Sequence, residues 1–127
     1  MRKILSRLLF AAALLLAAVY LLTGQKTFRI RGAESIRLSS GSTGQSVVLT
    51  DPELVQRITS QIDGLRWKAA GSAQDVDGWT WRITWSDRSG KQLEEITVLE
   101  DDAIVSRGRK WIPFAAGIDT SSFEDCF

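Results

Sequence analysis

Residues 8–25 read LLFAAALLLAAVYLLTGQ, an uncharged run of 18 residues behind Arg2, Lys3 and Arg7. As a helix rising 1.5 Å per residue it reaches about 27 Å, close to the roughly 30 Å hydrocarbon core of a bilayer. A stretch apolar on every side has little place in one small core, so it separates residues 1–25 from the rest of the chain. Two expectations compete with a buried soluble helix: a retained signal anchor, and a secretory signal peptide that is removed. The best-placed cleavage site, Leu22-Thr23-Gly24, carries leucine where a small residue is preferred, which favours the anchor. No cysteine follows the run, which argues against lipid attachment there. The basic residues before it place residues 1–7 in the cytoplasm, although Lys26, Arg29 and Arg31 weaken the asymmetry. The expectation is a single-pass membrane protein with residues 26–127 outside the cytoplasm, or a secreted one if the N-terminus is cut.

A length of 127 residues leaves room for one domain after that segment. Three of the 16 basic residues precede the run and none of the 15 acidic ones does, so residues 26–127 hold 13 against 15, a net charge of −2. Nucleic acid is therefore not an expected partner. Cys126 is the only cysteine and cannot close an intramolecular disulfide.

Beyond residue 25 the hydrophobic period marks the elements. "SSGSTGQS" (39–46) reads as a loop between two short strands, "ESIRLSS" and "SVVLTD". It lacks the Lys-Ser/Thr that a phosphate-cradling loop needs. In "TDPELVQRITSQIDGL", Asp51 caps and Pro52 opens a helix, Leu54, Val55, Ile58, Ile62 and Leu65 share one face, and Gly64 stops it. "GWTWRITWSD" (78–87) then alternates strictly, with Trp79, Trp81, Ile83 and Trp85 on one side. "DRSG" turns the chain into a partner strand, "KQLEEITVLED". Pairing Ser86 with Lys91 sets Trp81 against Ile96, Trp79 against Val98 and Trp85 against Gln92. In this register Trp79 and Trp81 lie under the helix and Trp85 at the rim. "AIVSRG" and "RKWIPFAAG" continue the sheet, the tail closes with a helical turn, and Phe28 and Ile30 alternate with Arg29 and Arg31 as a strand with a basic face. The fold class expected is α+β, one helix packed on an antiparallel sheet.

Absences constrain the chemistry. The chain contains no histidine, which removes the Ser-His-Asp and Cys-His systems and the usual zinc sites. Glu94 and Glu95 point to opposite faces of a strand and cannot act together. Glu100, Asp101 and Asp102 read as a solvated turn, with a glycosidase-like acid pair as the sharper reading. "DVDG" (75–78) resembles half a calcium loop without its distal glutamate. No cofactor or metal is implied. The candidate binding residues are Trp85 and Trp111, an aromatic platform in company with Trp67, and Arg107 and Arg109 of a basic group beside Trp111.

The apolar N-terminus, "LTDPELVQRITSQI" and "GWTWRITWSDRSG" together resemble small uncharacterised exported or membrane-anchored proteins of Gram-positive bacteria. That resemblance implies an extracytoplasmic α+β domain and carries no catalytic or binding residue across. The functional expectation is a noncatalytic, membrane-tethered binding or interaction domain, with the bilayer as one partner through residues 8–25 and a membrane protein or cell-wall component as another. A small cell-wall glycan hydrolase using Asp or Glu beside exposed tryptophan is the competing class.

Overall fold

A computed structural model describes residues 2–72, 78–114 and 117–127. The chain begins as a helix, α1 (Arg2–Gly24), and passes without a linker into a three-residue strand, β1 (Gln25–Thr27). Among the described residues of α1 no apolar face is packed away: Leu14, Leu15 and Leu16 are consecutive, point in three directions, and are 57%, 67% and 71% exposed. Among the described residues no helix is long and apolar enough to cross a membrane.

The remainder is an α+β domain on one antiparallel sheet of eight strands. The other seven strands are β2 (Ser35–Ser40), β3 (Ser46–Leu49), β4 (Arg66–Ser72), β5 (Trp81–Ser86), β6 (Gln92–Val98), β7 (Ile104–Ser106) and β8 (Arg109–Pro113). Their order is β1-β4-β8-β7-β6-β5-β2-β3. The domain's α-helix among the described residues, α2 (Pro52–Ile62), starts as its sequence dictates: Asp51 accepts a hydrogen bond from the Glu53 amide, and Pro52 sits where a missing N–H costs nothing. Val55, Ile58 and Ile62 are its buried side chains. Gly64 follows at φ +87°, a conformation open to glycine, and donates its N–H to the Phe28 carbonyl.

The β5–β6 hairpin forms in a register two residues away from the one the turn sequence suggests. Trp81 pairs with Val98, Ile83 with Ile96 and Trp85 with Glu94, with an irregularity between Trp85 and Ser86. The cause lies in the loop. Asp87 Oδ1 accepts from the Ser89 amide, the Ser89 hydroxyl and the Lys91 amide, and the Asp87 N–H donates to the Lys91 carbonyl, which closes a longer turn than Ser86–Lys91 pairing allows. An even shift keeps each side chain on its face, so the apolar row still points inward.

One further expectation changes, and one strand was not anticipated. Phe28 and Ile30 are buried and Arg29 and Arg31 exposed, but only Gln25–Thr27 is strand, and the alternating residues cross the sheet end as irregular chain. Strand β4, "RWKAAGS", carries no strong period-2 pattern, because Ala69, Ala70 and Gly71 dilute it. It joins the sheet through its neighbours β1 and β8.

Candidate functional site

The tryptophans come first, since an aromatic platform needs exposed rings. Trp85 is fully buried and Trp67 likewise, and Trp111 is 5% exposed. The placement of Trp85 at the rim is thus corrected: it lies under α2, with its Nε1 donating to Thr59 Oγ1 at 3.1 Å. Topology explains the reversal. Leu49 pairs with Ile36, and Ile36 with Trp85, so the chain leaving β3 enters α2 beside the Trp85 end of β5. The other end is covered by the tail, where Trp81 meets Phe123 edge-on at 5.4 Å and Phe127 at 6.0 Å. Trp79 is half-buried with the Arg82 guanidinium 4.5 Å from its ring centre. Trp67, Trp85 and Trp111 therefore offer no joint surface for a sugar or a peptide.

Arg107, Arg109 and Trp111 do come together, on the hairpin of β7 and β8. Ser106 pairs with Arg109, leaving Arg107 and Gly108 as a two-residue loop with φ of +51° and +77°. Two positive φ values match the type I′ turn that suits the twist of a tight hairpin and favours Asn-Gly. Arginine pays for that backbone conformation, yet its side chain is 76% exposed. Arg109 lies 5.0 Å over the Trp111 ring, so the buried indole props a guanidinium at the surface.

Behind the hairpin is a polar group that sequence reasoning missed. Lys26 Nζ donates to Ser106 Oγ at 3.2 Å, Ser106 Oγ donates to Glu94 Oε1 at 3.2 Å, and Arg107 stands 3.8 Å from Glu94 Oε2. Ser106 is buried. Burial holds the Lys26 amine below its usual pKa, an effect opposed by Glu94 and reinforced by Arg107. The Lys26 ammonium also faces the Phe28 ring at 4.6 Å. The signal in the sequence was faint: a glutamate in an inward position of an otherwise apolar strand face. The Nε1 groups of Trp67 and Trp111 are buried without a hydrogen-bond partner.

Acidic groups gather elsewhere. Glu94 and Glu95 diverge as the strand period requires, Glu95 lying 3.9 Å from Arg82 on the outer face. Asp101 accepts from Lys110 Nζ at 3.0 Å, and this bond, with a smaller one from the Ala103 amide, holds its carboxyl below the usual range. Glu100 and Glu124 line, with Trp79 and Trp81, a groove of about 230 Å³. A larger open cleft of about 450 Å³ lies between α2 and residues 30–34. At its margin Asp63 binds the Ile30 amide at 2.9 Å and Arg31 at 2.7 Å. Among the described residues no group of three or more metal-ligating side chains assembles. Asp75 and Asp77 of the calcium-like tetrapeptide lie outside the described residues. Cys126 is a partly buried thiol whose pKa is raised, chiefly by burial and further by Asp125.

Comparison with known families, with curated proteins and with solved structures found no match for this chain.

Proposed function

We propose that the chain is a noncatalytic binding domain tethered to the outer face of a bacterial cytoplasmic membrane, with residues 8–25 in the bilayer and residues 26–127 outside. The observation that carries this reading is the all-round exposure of the described apolar side chains of α1, from Ile4 to Val19. A helix apolar on every side is at home in lipid or in the core of a larger protein, and none of the described α1 side chains belongs to the core cluster of this domain. The described apolar part is short, but the uncharged run in the sequence continues to Gln25. The binding partner is a membrane protein or a cell-wall component, and the net charge of the domain disfavours nucleic acid.

Alkaline extraction of membranes, followed by protease treatment of intact spheroplasts, tests the tether. Retention in the membrane with digestion of the domain from outside is the expected result. Release by alkali sinks the proposal, and an N-terminus found at residue 25 by mass analysis replaces the anchor with a cleaved signal. A second reading, glycan hydrolysis, has one observation in its favour: Glu100 and Glu124 beside Trp79 around one groove. Release of reducing ends from purified cell wall, abolished by Glu100→Gln, is the result that reading requires.

A further inference from the structure

We infer that the β7–β8 hairpin is an electrostatic contact for anionic phospholipid headgroups, an inference that rests on the tether of α1. Gly24 ends α1 and Gln25 opens β1, so no linker separates the tether from the sheet. β1 runs away from α1, and Gln25 pairs with Lys68, so the antiparallel β4 runs back toward the helix side. Ser72 at its end pairs with Arg109, and Arg109 with Ser106. From Lys68 to Ser72, with a register shift on the way, the sheet advances about 10 Å past the helix junction at roughly 3.4 Å per residue. The Arg107-Gly108 tip therefore extends to the depth of a headgroup layer that surrounds the last turns of α1.

Charge agrees with position. Strands β1, β4, β7 and β8 carry Lys26, Arg66, Lys68, Arg109 and Lys110 and no carboxylate, while Arg107 lies in the turn. The opposite end of β7 receives the chain from Glu100, Asp101 and Asp102. Of the basic residues, Lys68, Arg107 and Arg109 lie level with the helix junction or beyond it toward the tether, whereas Arg66 pairs with Thr27 at the far end and Lys110 is bound to Asp101. The described basic groups of the hairpin therefore lie on the side an anionic surface would occupy. Lys26 reaches Ser106 at 3.2 Å, which fixes the hairpin to the residue that follows the helix by two positions. Arg107 is paired with Glu94 at 3.8 Å, yet its side chain is 76% exposed, so its remaining N–H groups can meet a phosphate oxygen.

The test uses the full chain in vesicles of phosphatidylcholine alone or mixed with phosphatidylglycerol, purified by flotation. Arginines are modified with phenylglyoxal and mapped by mass spectrometry, with Arg57 on the exposed side of α2 as internal reference. Arg107 and Arg109 are expected to react about fivefold more slowly relative to Arg57 on the anionic vesicles. The difference should vanish near about 1 M salt, where the screening length falls to about 3 Å. Equal relative rates on the two lipids overturn the hairpin contact and leave the tether standing. Protection by inorganic phosphate on neutral vesicles assigns the site to a free anion and overturns the lipid. A chain that floats with neither composition overturns the tether, and the contact with it.

Discussion

Trp85 shows how much one residue can report about a fold. Its indole fills the space under α2 and gives its only polar atom to Thr59. Trp85→Ala should therefore cost about 3 to 5 kcal/mol, as large aromatic truncations in cores do, in urea unfolding of the full chain in detergent. Thr59→Val, which strands a buried indole N–H, should cost about 1 to 3 kcal/mol. A loss under about 0.5 kcal/mol for Trp85→Ala, the range of surface changes, contradicts the packing. The sequence told which face this tryptophan occupies, because period 2 is a local property. It did not tell which end of the strand the helix covers, because that depends on the pairing of Leu49, Ile36 and Trp85 across three strands. Arg107 makes the complementary case: it holds a positive φ that asparagine adopts more readily. Arg107→Asn should raise stability by about 1 kcal/mol, measured by the same unfolding experiment. A neutral or negative change would mean that the arginine side chain stabilises the fold.

At the scale of elements, α2 and the existence of the β5–β6 hairpin, though not its register, were legible because their signals are short-range: a cap, an apolar stripe, an alternation bounded by turn residues. β4 was not, since Ala and Gly in its middle remove the pattern and only its partners supply a reason to be extended. The polar group of Lys26, Ser106 and Glu94 was hidden for the same reason, being drawn from β1, β7 and β6. One junction between elements has a testable pH dependence. Asp63, the C-cap of α2, accepts from the Ile30 amide and from Arg31, and these bonds lower its pKa, the amide being the larger cause. An acid whose pKa is lower folded than unfolded stabilises above its unfolded value, near about 3.9, and that contribution disappears as pH falls through the folded value. Stability should thus decline below about pH 4, and Asp63→Asn should flatten that part of the profile. Parallel profiles for the two proteins would show that the bonds do not distinguish the folded from the unfolded state.

The whole molecule divides into two parts that are solvated differently. Every described apolar side chain of α1 that is large is exposed, whereas the core cluster begins at Phe28 and draws on α2, the sheet and the tail through Phe123. The sheet closes over its own helix and over residues 28–30, and no described side chain of α1 belongs to the core cluster. β1, however, is a three-residue edge strand, and Lys26 within it binds Ser106. A cut that preserves the domain must therefore fall before Gln25. A chain of residues 25–127 should unfold in urea within about 0.5 kcal/mol of the full chain in detergent, and it should no longer float with phosphatidylcholine vesicles. A large loss of stability would make α1 a part of the fold. In that event its exposed leucines would need a protein neighbour in place of lipid, and the basic hairpin beside it would lose its reason to face a membrane.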